Sequence, residues 1–181
     1  MTNHASVHRQ SYSARLVRKT LRSWGAKIGL VWIGLLAVVA VFAPLLASSF
    51  PLLVRSGEVW QSPVLLHMAP ADFAWIAGFL SLLVLFPWRI PFVRKLLLTA
   101  VVAGAAGFAA WMLTEPPQLV IYEHYRSADY QQQFDELVYA PVPYSPRDYL
   151  RDQGDTGFLA PGFEHYFGTE ESGADVLSRM I

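Results

Sequence analysis

Two tetrapeptides carry residue types that bind divalent metals, Tyr122-Glu123-His124-Tyr125 and Phe163-Glu164-His165-Tyr166. A Glu/His pair from each could offer a carboxylate and an imidazole to one ion. Neighbouring residues on a strand point to opposite faces, however, so neither pair converges locally. The expectation is two interfacial aromatic patches and no metal site. No Ser, His and Asp stand in a spacing that suggests nucleophilic catalysis. The chain has no cysteine, which excludes disulfides, thiol catalysis and thiolate ligands. Phosphate-loop glycines followed by Lys-Ser/Thr are also missing, so ATP is not bound in that way. The sequence predicts no enzyme and no cofactor, and any driving energy must come from another protein.

The final stretch is built differently. Ser172 and Asp175 form a capping-box-like start, with the acid near the positive end of a helix. Val176, Leu177, Met180 and Ile181 follow at helical spacing. No C-cap closes this helix, which is expected to continue.

The element that must position all of this is Ile28 to Val54, twenty-seven residues without a charged or histidine side chain. At about 1.5 Å per residue, Ile28 to Ala47 alone would cross a bilayer core of about 30 Å. Six basic residues precede it (Arg9, Arg15, Arg18, Lys19, Arg22, Lys27) and no acid does. Val17, Leu21 and Trp24 lie on one face of a basic amphipathic stretch, which suits an anionic cytoplasmic leaflet or simply fixes orientation. The long basic leader and long apolar run predict an uncleaved anchor rather than a signal peptide. Pro44 is expected to kink the helix or end its regular part.

Two more apolar runs follow, Phe73 to Trp88 and Leu96 to Thr114, around a turn carrying Arg89, Arg94 and Lys95. Ala100/Gly104 and Ala103/Gly107 are small-xxx-small pairs that let a helix approach closely, with the second run the expected neighbour and a partner subunit the alternative. The leader and this turn hold nine Lys and Arg, against Arg55 and Arg126 in residues 55–72 and 115–134. The asymmetry predicts three crossings, with the N-terminus cytoplasmic and residues 115–181 outside. No ionisable residue falls within the spans, which disfavours a complete proton- or ion-coupled carrier.

Residues 115–181 carry four Arg against twelve Asp and Glu, and seven tyrosines. Ser127 is an expected N-cap for a helix over 128–139, and Ser145-Pro146 opens a second short helix closed by Gly154.

Segment 165–179, His-Tyr-Phe-Gly-Thr-Glu-Glu-Ser-Gly-Ala-Asp-Val-Leu-Ser-Arg, resembles a family signature, His-x-x-Gly-Thr-Asp-x-x-Gly-Arg-Asp-x-x-Ser-Arg. That signature belongs to inner-membrane permease subunits of dipeptide/oligopeptide (and nickel) ABC importers. The basic leader, first span and Val41-Phe-Ala-Pro-Leu-Leu-Ala47 are also similar to that family. The resemblance covers about residues 12–50 and 161–181 and rests on His165, Gly168, Thr169, Glu170, Gly173, Asp175, Ser178 and Arg179. Ala174 stands where the family has Arg, and Glu170 where it has Asp. Residues 55–160 replace a short loop. The family's pore helices and ATPase-docking loop fall beyond residue 181.

The resemblance implies the N-terminal portion of a permease in a bacterial inner membrane. Its partners would be the lipid bilayer, a second permease subunit, ATP-binding subunits and an extracytoplasmic substrate-binding protein, with no nucleic acid. The sequence thus predicts an all-α membrane protein with a mostly helical or irregular outer segment. Its expected parts are a basic leader (1–27), a first transmembrane helix (28–54), an outer loop (55–72) and a transmembrane hairpin (73–114). An acidic outer segment (115–163) and the motif with its helix start (164–181) complete it. The alternative is a stand-alone membrane adaptor whose outer segment binds a partner.

Overall fold

A computed structural model describes residue 20 and residues 23–114, 127–146, 148 and 157–181. The chain forms two compact units, Met1–Ala40 and Val41–Ile181. The first is represented by helix α1 (Trp24–Val41), which buries none of its residues. Ser23 satisfies one amide of its first turn, its Oγ accepting from Ala26 N at 3.3 Å. The helix has eighteen residues, about 27 Å. It begins four residues before the expected span, with Lys27 lying over the Trp24 ring (5.1 Å). The basic stretch before Thr20 lies outside the described residues.

Pro44 has no N–H, and its ring would clash with the carbonyl four residues back. Helix α1 accordingly stops at Val41, and Pro44 sits in the first turn of α2 (Ala43–Leu46). The expected first span of 28–54 is therefore too long at its far end. Residues 47–52 are irregular, and β1 (Leu53–Ser56) follows.

The expectation of an all-α protein is corrected by a three-stranded antiparallel sheet in the order β2-β1-β3, with β2 at Val59–Gln61 and β3 at Glu136–Val138. Gly57 (φ +62°) opens the two-residue turn between β1 and β2, a conformation that favours glycine. Residues 53–61 thus form a β-hairpin, followed by α3 (Pro63–His67), in place of the loop expected there. The helix expected over 128–139 lasts one turn, α6 (Ala128–Gln131). Ser127 does cap it, accepting from Tyr130 N at 3.3 Å. It stops because the following residues pair elsewhere. The Asp135 carboxylate accepts from Gly57 N at 2.8 Å, and Glu136–Val138 pair with Leu53–Arg55. Tertiary pairing overrides a weak local propensity. The expected helix from Ser145 to Gly154 and the tetrapeptide Tyr122–Tyr125 fall mainly or wholly outside the described residues.

The apolar hairpin consists of α4 (Pro70–Leu85) and α5 (Phe92–Leu113). Pro70 occupies the first turn of α4, and the Asp72 carboxylate accepts from Ala69 N at 3.2 Å. At the other end, Lys95 Nζ donates to Phe86 O at 2.9 Å, placing a cation at the negative end of α4. Helices α1 and α5 are long and apolar enough to cross a membrane, whereas α4 has sixteen residues, about 24 Å. Three transmembrane helices thus reduce here to two of spanning length and a shorter apolar one.

The small residues of α5 divide between two faces. A Cβ built on Gly107 would lie 3.2 Å from Ala74 Cβ and 3.4 Å from Pro70 O, and one on Gly78 would lie 3.3 Å from Ala103 Cβ. Ala103 and Gly107 therefore form the seam with α4. Ala100 and Gly104 are exposed, and a Cβ on Gly104 would meet nothing within 4 Å.

Candidate functional site

Residues 157–181 close on themselves through glycines and a buried carboxylate. Gly168 has φ +74°, and a Cβ there would stand 2.3 Å from Leu159 O, so no other residue fits. This approach lets Thr169 hold the neighbouring segment at Leu159 twice. Its N donates to Leu159 O at 3.1 Å, and its Oγ1 accepts from Leu159 N at 2.8 Å. Gly173 (φ +77°) turns the chain back, with Glu170 N donating to Ala174 O at 3.0 Å and Gly173 N to Glu170 O at 2.9 Å. The return brings Asp175 opposite Thr169 as an antiparallel bridge.

Asp175 is the N-cap of α7 (Val176–Met180), and its carboxylate has two tasks. One oxygen accepts from Ser178 N at 2.7 Å, and the other lies 2.9 Å from His165 Nδ1. Ser178 Oγ donates to Asp175 O at 2.9 Å. Asp175 and Ser178 are fully enclosed and His165 nearly so, so each polar atom needs the partner it has. Tyr144 covers the imidazole, with ring centres 4.5 Å apart. Outside this buried knot, Arg179 Nη1 lies 2.6 Å from Glu170 Oε1, which also accepts from Ser172 Oγ. That ion pair is about one third exposed and contributes on the order of 0–1 kcal/mol.

All eight motif residues, His165, Gly168, Thr169, Glu170, Gly173, Asp175, Ser178 and Arg179, therefore belong to one hydrogen-bonded assembly. Ser172 is displaced from its expected role. Asp175 alone caps α7, while Ser172 serves Glu170. Ala174 is completely buried, leaving no room for an arginine, and the Glu170–Arg179 pair lies on the outer side.

Sequence reasoning missed the second half of the site. Ser49 Oγ donates to the Asp148 carboxylate and accepts from Ser145 N at 2.9 Å. Ser145 N also donates to Asp148 Oδ2 at 2.8 Å. These contacts, with the Ala47–Val142 parallel bridge, fasten the segment after α2 to residues 142–148. Ala47, Val142 and Tyr144 form a small core against which Leu177 and Ile181 pack. Nothing local signals a hydrogen bond between positions 99 apart. A cleft of about 540 Å³ opens beside it, lined by Ser49, His67, Asp72, Asp148, Ser178 and Ile181 among others. His67 stacks on Phe50 at 4.3 Å, with Nδ1 2.9 Å from Pro63 O.

Chemically, the knot fixes conformation. Its His–Asp pair is buried beside Tyr144 and the start of α7. Among the described residues, no three His, Cys, Asp or Glu side chains are grouped to hold a metal. In comparisons with known proteins, no family, curated protein or solved structure matches the chain.

Proposed function

We propose that this chain is the N-terminal, membrane-embedded portion of an ABC-type peptide importer permease, with three crossings and the knot at 157–181 outside. The observation that carries the reading is the cooperation of the eight signature residues. Each has a physical task in one local structure: two glycines at positive φ, a doubly bonded threonine, and a buried carboxylate joining an imidazole to a helix start. A chance similarity of spacing would not need to place all of them in one assembly. The apolar helices and the charge asymmetry support the multi-pass arrangement.

On this reading the chain supplies scaffold and an outer surface. Substrate would arrive on an extracytoplasmic binding protein, and separate subunits would hydrolyse ATP. The knot would orient α7 as the chain enters the transport core.

The test is an N-terminal tag inserted at the chromosomal locus, followed by mild-detergent purification. Co-purification of ATP-binding subunits and a second permease, with a tagged product well above 20.3 kDa, is expected. A product of 20.3 kDa plus the mass of the tag, without such partners, would instead favour a membrane adaptor.

A further inference from the structure

We propose that the open face of the three-stranded sheet is a lipid-contact surface, with Trp60 seated in the headgroup region and Arg55 reaching lipid phosphate. The proposal rests on the membrane-embedded reading above.

Register defines the face. Arg55 stands opposite both Trp60 and Glu136, and Leu53 opposite Val138. Opposed residues and those two apart share a face, so these five side chains lie together. Val54, on the other face, is buried against the body of the unit, whereas Leu53, Trp60 and Val138 are all more than two-fifths exposed. An isolated sheet of nominal length gains little by holding three apolar side chains in water.

The position of the sheet selects its occupant. Gln61 ends β2 and Pro70 begins α4, with only α3 between them. The contact of Gly107 with Pro70 places the start of α4 beside the last turns of α5, which carry the exposed Trp111. The sheet is therefore tethered to the end of the apolar hairpin where Trp111 lies. Leu65 and Leu66, in the tether itself, are exposed as well. A bilayer interface is continuous with this end of the hairpin, whereas another protein would have to compete with it.

The chemistry of the face matches that interface. Indoles concentrate at the headgroup level, where an apolar ring and an N–H are both satisfied. The Arg55 guanidinium carbon lies 5.7 Å from the Trp60 ring centre, so the cation covers one ring face. Arg55 Nε donates to Gly57 O at 3.0 Å and Nη1 pairs with Glu136 at 3.5 Å. A guanidinium has about five N–H donors, more than these contacts use, and its fork fits a phosphate.

These 181 residues hold six tryptophans, so variants of this chain with five changed to Phe can retain Trp60, Trp111 or Trp75 alone. Each would be reconstituted in phosphatidylcholine/phosphatidylglycerol vesicles with brominated acyl chains, and separately exposed to aqueous iodide. Trp60 is expected to be quenched by bromolipid within about twofold of Trp111, and only weakly by iodide. Quenching of Trp60 by iodide alone, or by neither agent, while Trp111 and Trp75 respond to bromolipid, would overturn the proposal and leave the membrane reading standing. If all three escape bromolipid, both fall. A gentler variant, Trp60→Cys carrying a polarity-sensitive dye in the otherwise cysteine-free chain, must show a blue shift on reconstitution that Glu171→Cys does not. Equal emission from the two would contradict the proposal.

Discussion

At the residue scale, the account turns on Asp175, which serves two neighbours from a fully buried position. Asp175→Ala removes an N-cap, a loss of about 1 kcal/mol. It also leaves His165 buried without its partner, a further cost of about 1–3 kcal/mol. Asp175→Asn keeps a capable cap and should lie between wild type and Ala. Hydrogen exchange of peptides spanning 165–181 in detergent should rank wild type, Asn and Ala in that order of rising exchange. Indistinguishable exchange would remove Asp175 from the centre of the knot. Gly168→Ala places a Cβ on a carbonyl oxygen at positive φ and should cost at least about 1–3 kcal/mol in the same measurement. Of these residues only the Asp175 cap was legible from local chemistry, since a helix start is a short-range signal. The glycines, Thr169 and Ser178 entered through the resemblance to the signature, and Ser172 was assigned a capping role that it does not have. Tyr144 and the Ser49–Asp148 contact were not legible, since only the folded chain brings them near.

At the element scale, one stripe of small residues proves to be two surfaces. Gly107→Leu should force α4 and α5 apart, whereas Gly104→Leu meets open space. Disulfide formation between Ala74→Cys and Ala103→Cys would not report this faithfully, because Ala74 faces Gly107. The suitable pair is Gly78→Cys with Ala103→Cys, whose Cβ atoms would start 3.3 Å apart. Crosslinking of that pair should be lost in the Gly107→Leu background and kept with Gly104→Leu. Equal crosslinking in both would show that the seam lies elsewhere. The hairpin was legible from apolar length and a basic turn, signals that require no distant partner. The sheet was hidden because β1 is the polar fringe of an apolar run and β3 lies inside a helical pattern. Tyr130 and Phe134 even keep their ring contact at helical spacing, 4.9 Å between centres, although the backbone has already left the helix. What decides the strand is pairing with Leu53–Arg55 across the chain, which no local window contains.

At the scale of the whole molecule, charge distribution and fold address the same question, namely which ends of the apolar helices share a side. The leader and the 89–95 turn hold nine of the fourteen Lys and Arg, while the sheet and the knot join the opposite end of the α4–α5 hairpin through α3 and residues 47–52. The proposed permease role, the lipid-facing sheet and the outward placement of α7 all require these two sets to be separated by a bilayer. The most direct test uses the absence of native cysteine. Single cysteines at Ser6, Pro87 and Glu171 would be labelled in intact cells or spheroplasts with a membrane-impermeant maleimide, before and after permeabilisation. Glu171→Cys is expected to react from outside, whereas Ser6→Cys and Pro87→Cys are expected to react only once the membrane is opened. Outside labelling of both Pro87→Cys and Glu171→Cys would mean that α5 does not separate them, and would contradict the three-crossing arrangement on which the permease reading depends.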